Sequence, residues 1–138
     1  MKKTLLWIVS LLLCLTCLTS CADLKAQQSV NKLDELQARL EQDGYECTRW
    51  QDTEVASYAE SLASFWGVLL KGEITGVIEY TYRDEAAGKQ VYGIVLGTTC
   101  KADARAVCEA HTASLADAVS GLEATVQTYY VQIEYTLR

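Results

Sequence analysis

Two cysteines and the single histidine of the chain lie close together in the sequence, and their side chains are the ones best suited to metal or thiol chemistry. Cys108 and His111 are three residues apart, which places both on one face of a helix. A zinc site needs further ligands and usually a CxxC pair, and no such pair lies near these residues. A catalytic Cys–His pair needs a third group that orients the histidine, and the sequence identifies none. We expect no metal site or cofactor, with Cys108 and His111 as weak metal candidates.

Glutamates recur at Glu73, Glu79 and Glu134, in segments with the alternating pattern of strands. Paired carboxylates serve acid–base catalysis or bind calcium. Glutamates are nevertheless mostly exposed, and no EF-hand spacing is present. The sequence also lacks a phosphate-binding loop, a GxSxG elbow and an HExxH motif. We therefore predict a protein that is not an enzyme.

Three segments have apolar residues at the three- and four-residue steps of an amphipathic helix. The first, from Val30 to Gly44, is too short for three heptads, so we expect it to dock on the domain rather than to form a coiled coil. The second runs from Asp52 to Lys71-Gly72. The third is alanine-rich and spans residues 101–120.

Strands are predicted at residues 45–51, 74–83, 90–98 and 128–137, with a hairpin loop at 84–89. Residues 90–98 are apolar on both faces, which is typical of a central strand. After the first helix the order is βαββαβ. This order predicts an α+β domain of ferredoxin-like type, in which an antiparallel sheet carries two helices on one face, preceded by an N-terminal helix.

The open face of that sheet is the predicted binding surface. Its polar candidates are Tyr130, Gln132, Glu134 and Glu79. Valines at 77, 91 and 95 lie among them, and glycines at 76, 93 and 97 permit close approach. Either the first helix or a partner protein covers this apolar centre.

The N-terminus has the three parts of a secretion signal: Lys2 and Lys3, an uncharged segment from Leu5 to Leu18, and the motif Leu18-Thr19-Ser20-Cys21. The uncharged segment is shorter than the roughly 20 residues of a transmembrane helix. The motif resembles the lipobox of bacterial lipoprotein precursors. This resemblance implies a signal peptide at 1–20, a lipidated tether at 21–29 and a single domain at 30–138.

The resemblance also implies a cellular location. Cys21 would carry a diacylglyceryl thioether and an N-acyl chain such as palmitate, and the two together give stable membrane attachment. The protein would then be held in the cell envelope. Because Ala22 rather than an aspartate follows the cysteine, the resemblance favours the outer membrane, facing the periplasm, in a Gram-negative organism.

Removal of the signal would leave 118 residues, enough for one domain with its own core. Lys2 and Lys3 would be lost, so 10 basic and 18 acidic residues give a mature net charge of 10 − 18 = −8. A net-acidic surface repels phosphate backbones, so we expect no nucleic-acid partner.

Three cysteines would remain besides Cys21, in a compartment that permits disulfides: Cys47, Cys100 and Cys108. An odd number favours one bridge and one thiol. Along one continuous helix Cys100 and Cys108 would be about 12 Å apart, beyond the roughly 7 Å that a disulfide tolerates. We favour this bridge only with Cys100 outside the helix; Cys47 with either is the alternative.

We therefore expect a membrane-anchored cell-envelope lipoprotein that acts as a non-enzymatic interaction or structural module. Its partner would be another envelope protein, and one version of the role is assistance to an envelope complex. The alternative is a periplasmic lipoprotein that binds a small ligand or a metal.

Overall fold

The computed structural model describes the backbone of residues 2–137 and the side chains of residues 8–11 and 21–137. Most side chains of the predicted signal peptide, including lipobox positions 18–20, lie outside the described residues. In chain order the elements are α1 (Lys2–Gln42), β1 (Glu46–Arg49), α2 (Asp52–Ser64), β2 (Gly76–Asp84), β3 (Lys89–Gly97), α3 (Lys101–Leu115), β4 (Val119–Val126) and β5 (Tyr130–Leu137).

The five strands form one antiparallel sheet in the order β1-β2-β3-β5-β4. The predicted α+β class is therefore confirmed. The central strand is β3, as its two-sided apolar pattern predicts: Val95 is fully buried on one face, and Leu96 is fully buried on the other.

The ferredoxin-like arrangement is wrong, because β1 is an edge strand paired antiparallel with β2. In a βαβ crossover the helix returns the chain to the end of the sheet where the first strand began. Here residues 65–75 bring the chain back to where β1 ended, and the amide of Trp50 donates to the carbonyl of Val77 at 2.9 Å. The two strands consequently run in opposite directions.

The helix predicted at residues 52–72 ends earlier, at Ser64. Gly67 adopts a left-handed conformation with φ of 64°, and the amide of Val68 donates back to the carbonyl of Leu62. Phe65 and Leu69, which continue the apolar spacing from which this helix is predicted, are 86% and 84% exposed. The apolar spacing typical of a helix therefore continues in the sequence beyond Ser64, where the helical backbone ends.

The second missed boundary lies after α3, which ends at Leu115 rather than at Ser120. Residues 119–126 form β4, an edge strand whose side chains are mostly exposed, so its sequence carries little alternation. Gly121 has φ of 59° at a register shift between Ser120 and Glu123. A left-handed glycine is typical of a β-bulge, and the prediction treated it as a helix end.

Helices cover both faces of the sheet. α2 and α3 share one core with the first face, and the buried residues of that core are Val55, Leu62, Ile74, Val77, Ile94, Leu96, Ala104, Val107, Cys108, Val131 and Ile133. On the second face, Leu33, Leu36 and Leu40 of α1 pack with Ile78, Tyr80 and Val95. The predicted docking of the first helix is confirmed, and it covers the apolar centre of that face.

Close contact between α1 and the sheet depends on glycine. A Cβ atom on Gly97 would lie 2.7 Å from Cδ1 of Leu33, and one on Gly76 would lie 2.9 Å from the same atom. Ser29 is fully buried, and its hydroxyl donates to the carbonyl of Tyr129 at 2.8 Å. The buried face of α1 therefore begins at Ser29, one residue before the predicted start.

The segment expected as a tether, residues 21–29, is helical and continuous with the docked part of α1. Residues 21–25 are exposed. Among the residues that the structure describes, no helix combines the length and apolar character needed to cross a membrane.

Candidate functional site

The four predicted binding-surface residues do not share one face. Cross-strand partners in an antiparallel sheet lie on the same face, and Tyr80 is opposite Gly93, which is opposite Glu134. Glu79 belongs to the neighbouring row, with Ile94 and Ile133, on the α2/α3 face. Tyr130, Gln132 and Glu134 lie on the α1 face, so Glu79 is separated from them by the sheet. This part of the prediction is corrected.

On the α1 face, Gln132 and Glu134 meet at the hydroxyl of Tyr80. That hydroxyl donates to Oε2 of Glu134 at 3.0 Å and accepts from Nε2 of Gln132 at 2.9 Å. The Tyr80 ring lies against Gly93, where a Cβ atom would overlap it, and is only 1% exposed. Burial is the main cause that raises the pKa of Tyr80, so the phenol stays protonated. These residues form a structural network.

A cleft of about 500 Å³ opens on the other face, beside His111 and Leu115 in the C-terminal half of α3. Its floor includes Tyr92 and Tyr135, a cross-strand pair whose rings stack at 6.0 Å with an interplanar angle of 15°. The other lining residues are Trp50, Glu79, Tyr80, Thr81, Gly93, Ile94, His111 and Leu115. The described lining thus contains one carboxylate and no lysine or arginine.

Glu79 acts electrostatically on the floor of this cleft. Burial raises the pKa of Tyr135, and the Glu79 carboxylate raises it further. Glu79 itself is exposed, so it remains hydrated and available to a ligand at the mouth. The cleft therefore pairs an aromatic floor with a negative charge.

His111 lies in the wall of the cleft, within a group of aromatic rings. Its Nδ1 is 3.3 Å from the hydroxyl of Tyr58, and the Trp66 ring meets it edge-on at 6.3 Å. Trp50 contacts Tyr58 in turn, with centroids 5.8 Å apart. Burial lowers the pKa of His111, so the imidazole is neutral near pH 7.

A metal site at Cys108 and His111 receives no further ligands. Cys108 is buried in the α2/α3 core, where desolvation raises the pKa of its thiol. Within the described part of the chain, no group of three histidine, cysteine, aspartate or glutamate side chains is placed to hold an ion.

The cysteines expected to pair are free thiols in this structure, and the fold separates them. Cys47 packs with the α1 core, whereas Cys108 belongs to the core on the opposite face of the sheet. Cys100 is the N-cap of α3, directly before its first turn. It is therefore about two helical turns from Cys108.

Cys100 instead lies near Cys21. Both line a cavity of about 670 Å³, together with Lys25, Lys71 and Gly72. The position expected to carry lipid is thus next to the N-terminus of α3 and to the end of the loop at residues 65–75.

That loop is fixed at one end by a buried carboxylate. Asp103, 2% exposed in the first turn of α3, accepts hydrogen bonds from the amides of Lys71 and Gly72 at 2.9 and 2.8 Å. Between this attachment and α2, the side chains of Phe65, Trp66 and Leu69 are exposed to 86%, 41% and 84%. We call these three residues the apolar loop patch.

The sequence alone pointed to Glu79 and His111 but not to the cleft that joins them. The sequence did not single out three other residues of the cleft as site residues: Trp50, Tyr92 and Tyr135. Strand tyrosines are ordinarily core residues, and Trp50 lies near the end of a weakly predicted strand. Tyr92 lies two residues before Ile94 and Tyr135 two residues after Ile133, and this period of two in the sequence is a signal that each tyrosine shares a face with the neighbouring isoleucine.

The cleft and the apolar loop patch are the two candidate sites that the described residues form. Comparison of the chain with protein-family models, with curated protein sequences and with solved structures finds no match.

Proposed function

We propose that this protein is a cell-envelope lipoprotein, anchored through Cys21, whose domain is a non-enzymatic interaction module. The anchor proposal is supported by the motif Leu18-Thr19-Ser20-Cys21 behind a charged and then apolar segment. The position of Cys21 fits it: the residue is exposed and precedes Ser29, the first fully buried residue among those of α1 whose side chains the structure describes. Cleavage before Cys21 would keep the contacts that Ser29, Leu33, Leu36 and Leu40 make with the sheet.

The observation that supports an interaction role is the apolar loop patch. Two large apolar side chains exposed beyond four-fifths of their surface, beside a partly exposed tryptophan, are a costly feature for a surface without a partner. Aromatic residues of this kind are enriched in protein interfaces. The partner is accordingly another envelope protein. Outer-membrane sorting, facing the periplasm, is the version favoured by Ala22 for a Gram-negative cell.

The anchor is tested by replacing cysteines in the native host. We expect Cys21→Ser to abolish labelling by radioactive palmitate and to block signal removal. Cys17→Ser, a matched change inside the signal, should leave both unaffected. Palmitate labelling that persists in Cys21→Ser would overturn the anchor.

The contact surface is tested by photocrosslinking from an unnatural amino acid. A benzoylphenylalanine at position 65 should yield a discrete protein adduct in intact cells. The same residue at Ala38, exposed on α1, is the matched control. Adducts with lipid alone, or the same adducts from both positions, would contradict a protein partner at this loop.

The cleft supports a second candidate function, the binding of a small ligand. Its volume of about 500 Å³ lies within the range of small-molecule sites, and its lining combines aromatic and aliphatic side chains with polar groups and one carboxylate. This function requires no partner protein and is compatible with the anchor.

A further inference from the structure

We propose that the cleft beside the C-terminal half of α3 binds small organic ammonium compounds, with the cationic group placed between Glu79 and the tyrosine pair Tyr92–Tyr135. The inference rests on the second candidate function above, ligand binding, and is independent of lipid anchoring. It names the chemical class that the lining of the cleft selects.

The first argument is charge. Glu79 supplies a carboxylate at the exposed side of the cleft, and no lysine or arginine is among the described lining residues. The remaining titratable wall residue, His111, is half-buried, and its imidazole is neutral near pH 7. An anion would meet an uncompensated negative charge here, whereas a cation gains a partner.

The second argument is the aromatic floor. The stacked rings of Tyr92 and Tyr135 and the nearby indole of Trp50 line the same cleft. Ammonium groups are attracted to the faces of such rings, and this is how proteins recognise quaternary ammonium ligands. Ile94 and Leu115 add apolar surface for the methyl or methylene groups of the ligand.

The third argument is access to the cleft. Val77 and Ile94 of the sheet are buried in the α2/α3 core, whereas Tyr92 and Tyr135, in the next row, are only partly buried. His111 and Leu115 form a wall, and the opposite side is open to solvent.

A comparison of choline with 3,3-dimethylbutan-1-ol, its neutral isostere, distinguishes binding through charge from binding through shape. The full chain in a non-ionic detergent is titrated with each compound at constant ionic strength. The readout is the indole N–H resonance of Trp50, identified by its absence in Trp50→Phe. We expect saturable shifts with choline and roughly tenfold weaker binding of the isostere, the size of a cation–π contact combined with a partial ion pair.

Two glutamate variants provide the matched test. Glu79→Gln keeps the shape of an exposed side chain and should weaken choline binding about five- to tenfold, since it removes the carboxylate while leaving the rings. Glu73→Gln removes another exposed carboxylate, one that lies at the opposite end of the sheet, and should have no effect. Unchanged choline affinity in Glu79→Gln, or equal losses in both variants, would overturn the proposal.

A titration with glycerophosphocholine, which carries the headgroup of a common lipid, distinguishes a lipid headgroup from a soluble ammonium compound as the ligand. Binding of choline alone assigns soluble ammonium compounds, and binding of both extends the site to headgroups. Equal shifts by choline and the neutral isostere would overturn ammonium recognition while leaving ligand binding in place. If neither compound moves the Trp50 resonance at about 50 mM, well above the millimolar affinity expected of such contacts, both ideas fail.

Discussion

The hydroxyl of Tyr80 lies 3.0 Å from Oε2 of Glu134, to which it donates a hydrogen bond beneath α1. Gln132 donates to the same hydroxyl. Three strands, β2, β3 and β5, thus share one polar contact, since the Tyr80 ring passes over Gly93 of β3. The predicted binding residues Gln132 and Glu134 are part of the scaffold.

Tyr80→Phe should lower the free energy of unfolding by about 1–3 kcal/mol, because Glu134 and Gln132 each lose a partner in a partly buried setting. Chemical unfolding of the full chain followed by near-ultraviolet circular dichroism measures this loss. Tyr82→Phe, two residues along and 39% exposed, is the matched control and should change stability by less than about 0.5 kcal/mol. Equal effects would show that the hydroxyl network does not contribute.

Leu33→Ala should destabilise the protein by about 2–5 kcal/mol, because the side chain is fully buried between α1 and the sheet. Leu24→Ala makes the same change on the same helix at a residue that is 59% exposed, and should cost less than about 0.5 kcal/mol. The same unfolding assay compares them. A cost for Leu33→Ala no greater than that for Leu24→Ala would mean that α1 does not dock.

Asp103→Asn should destabilise the chain by about 1–3 kcal/mol, because Lys71 and Gly72 donate to different carboxylate oxygens and the amide nitrogen that replaces one of them cannot accept a hydrogen bond. Release of this attachment should also increase amide hydrogen exchange in residues 65–72. Asp117→Asn, an exposed aspartate just after α3, is the control. Exchange in the loop that is unchanged in Asp103→Asn would argue against the attachment.

Stability should fall as the pH decreases through the ordinary pKa of histidine, about 6.5. Burial lowers the pKa of His111 in the folded chain, so the unfolded chain binds the proton first, and acidification favours unfolding. His111 is the single histidine, so His111→Gln should reduce the stability difference between pH 7.5 and 5.5. An identical difference in both proteins would exclude this contribution.

The sequence by itself determined the features that depend on neighbours along the chain. The leucine spacing of 30–40 predicted a docking helix, and the two-sided apolar pattern of 90–98 predicted the central strand. It also predicted the α+β class. Each of these signals repeats with a period of two or about 3.6 residues, so it can be read without knowing which strands are partners.

Tertiary structure alone decided the pairing and the faces. The alternation within β2 and within β5 is evident in the sequence, but only the register, in which Tyr80 is opposite Gly93 and Gly93 opposite Glu134, fixes which sides coincide. A shift of one residue exchanges the faces, which is why Glu79 was placed with Gln132. The end of α2 at Ser64 and the edge strand β4 set the topology, and the tertiary structure alone brings Trp50, Glu79 and His111 to one cleft.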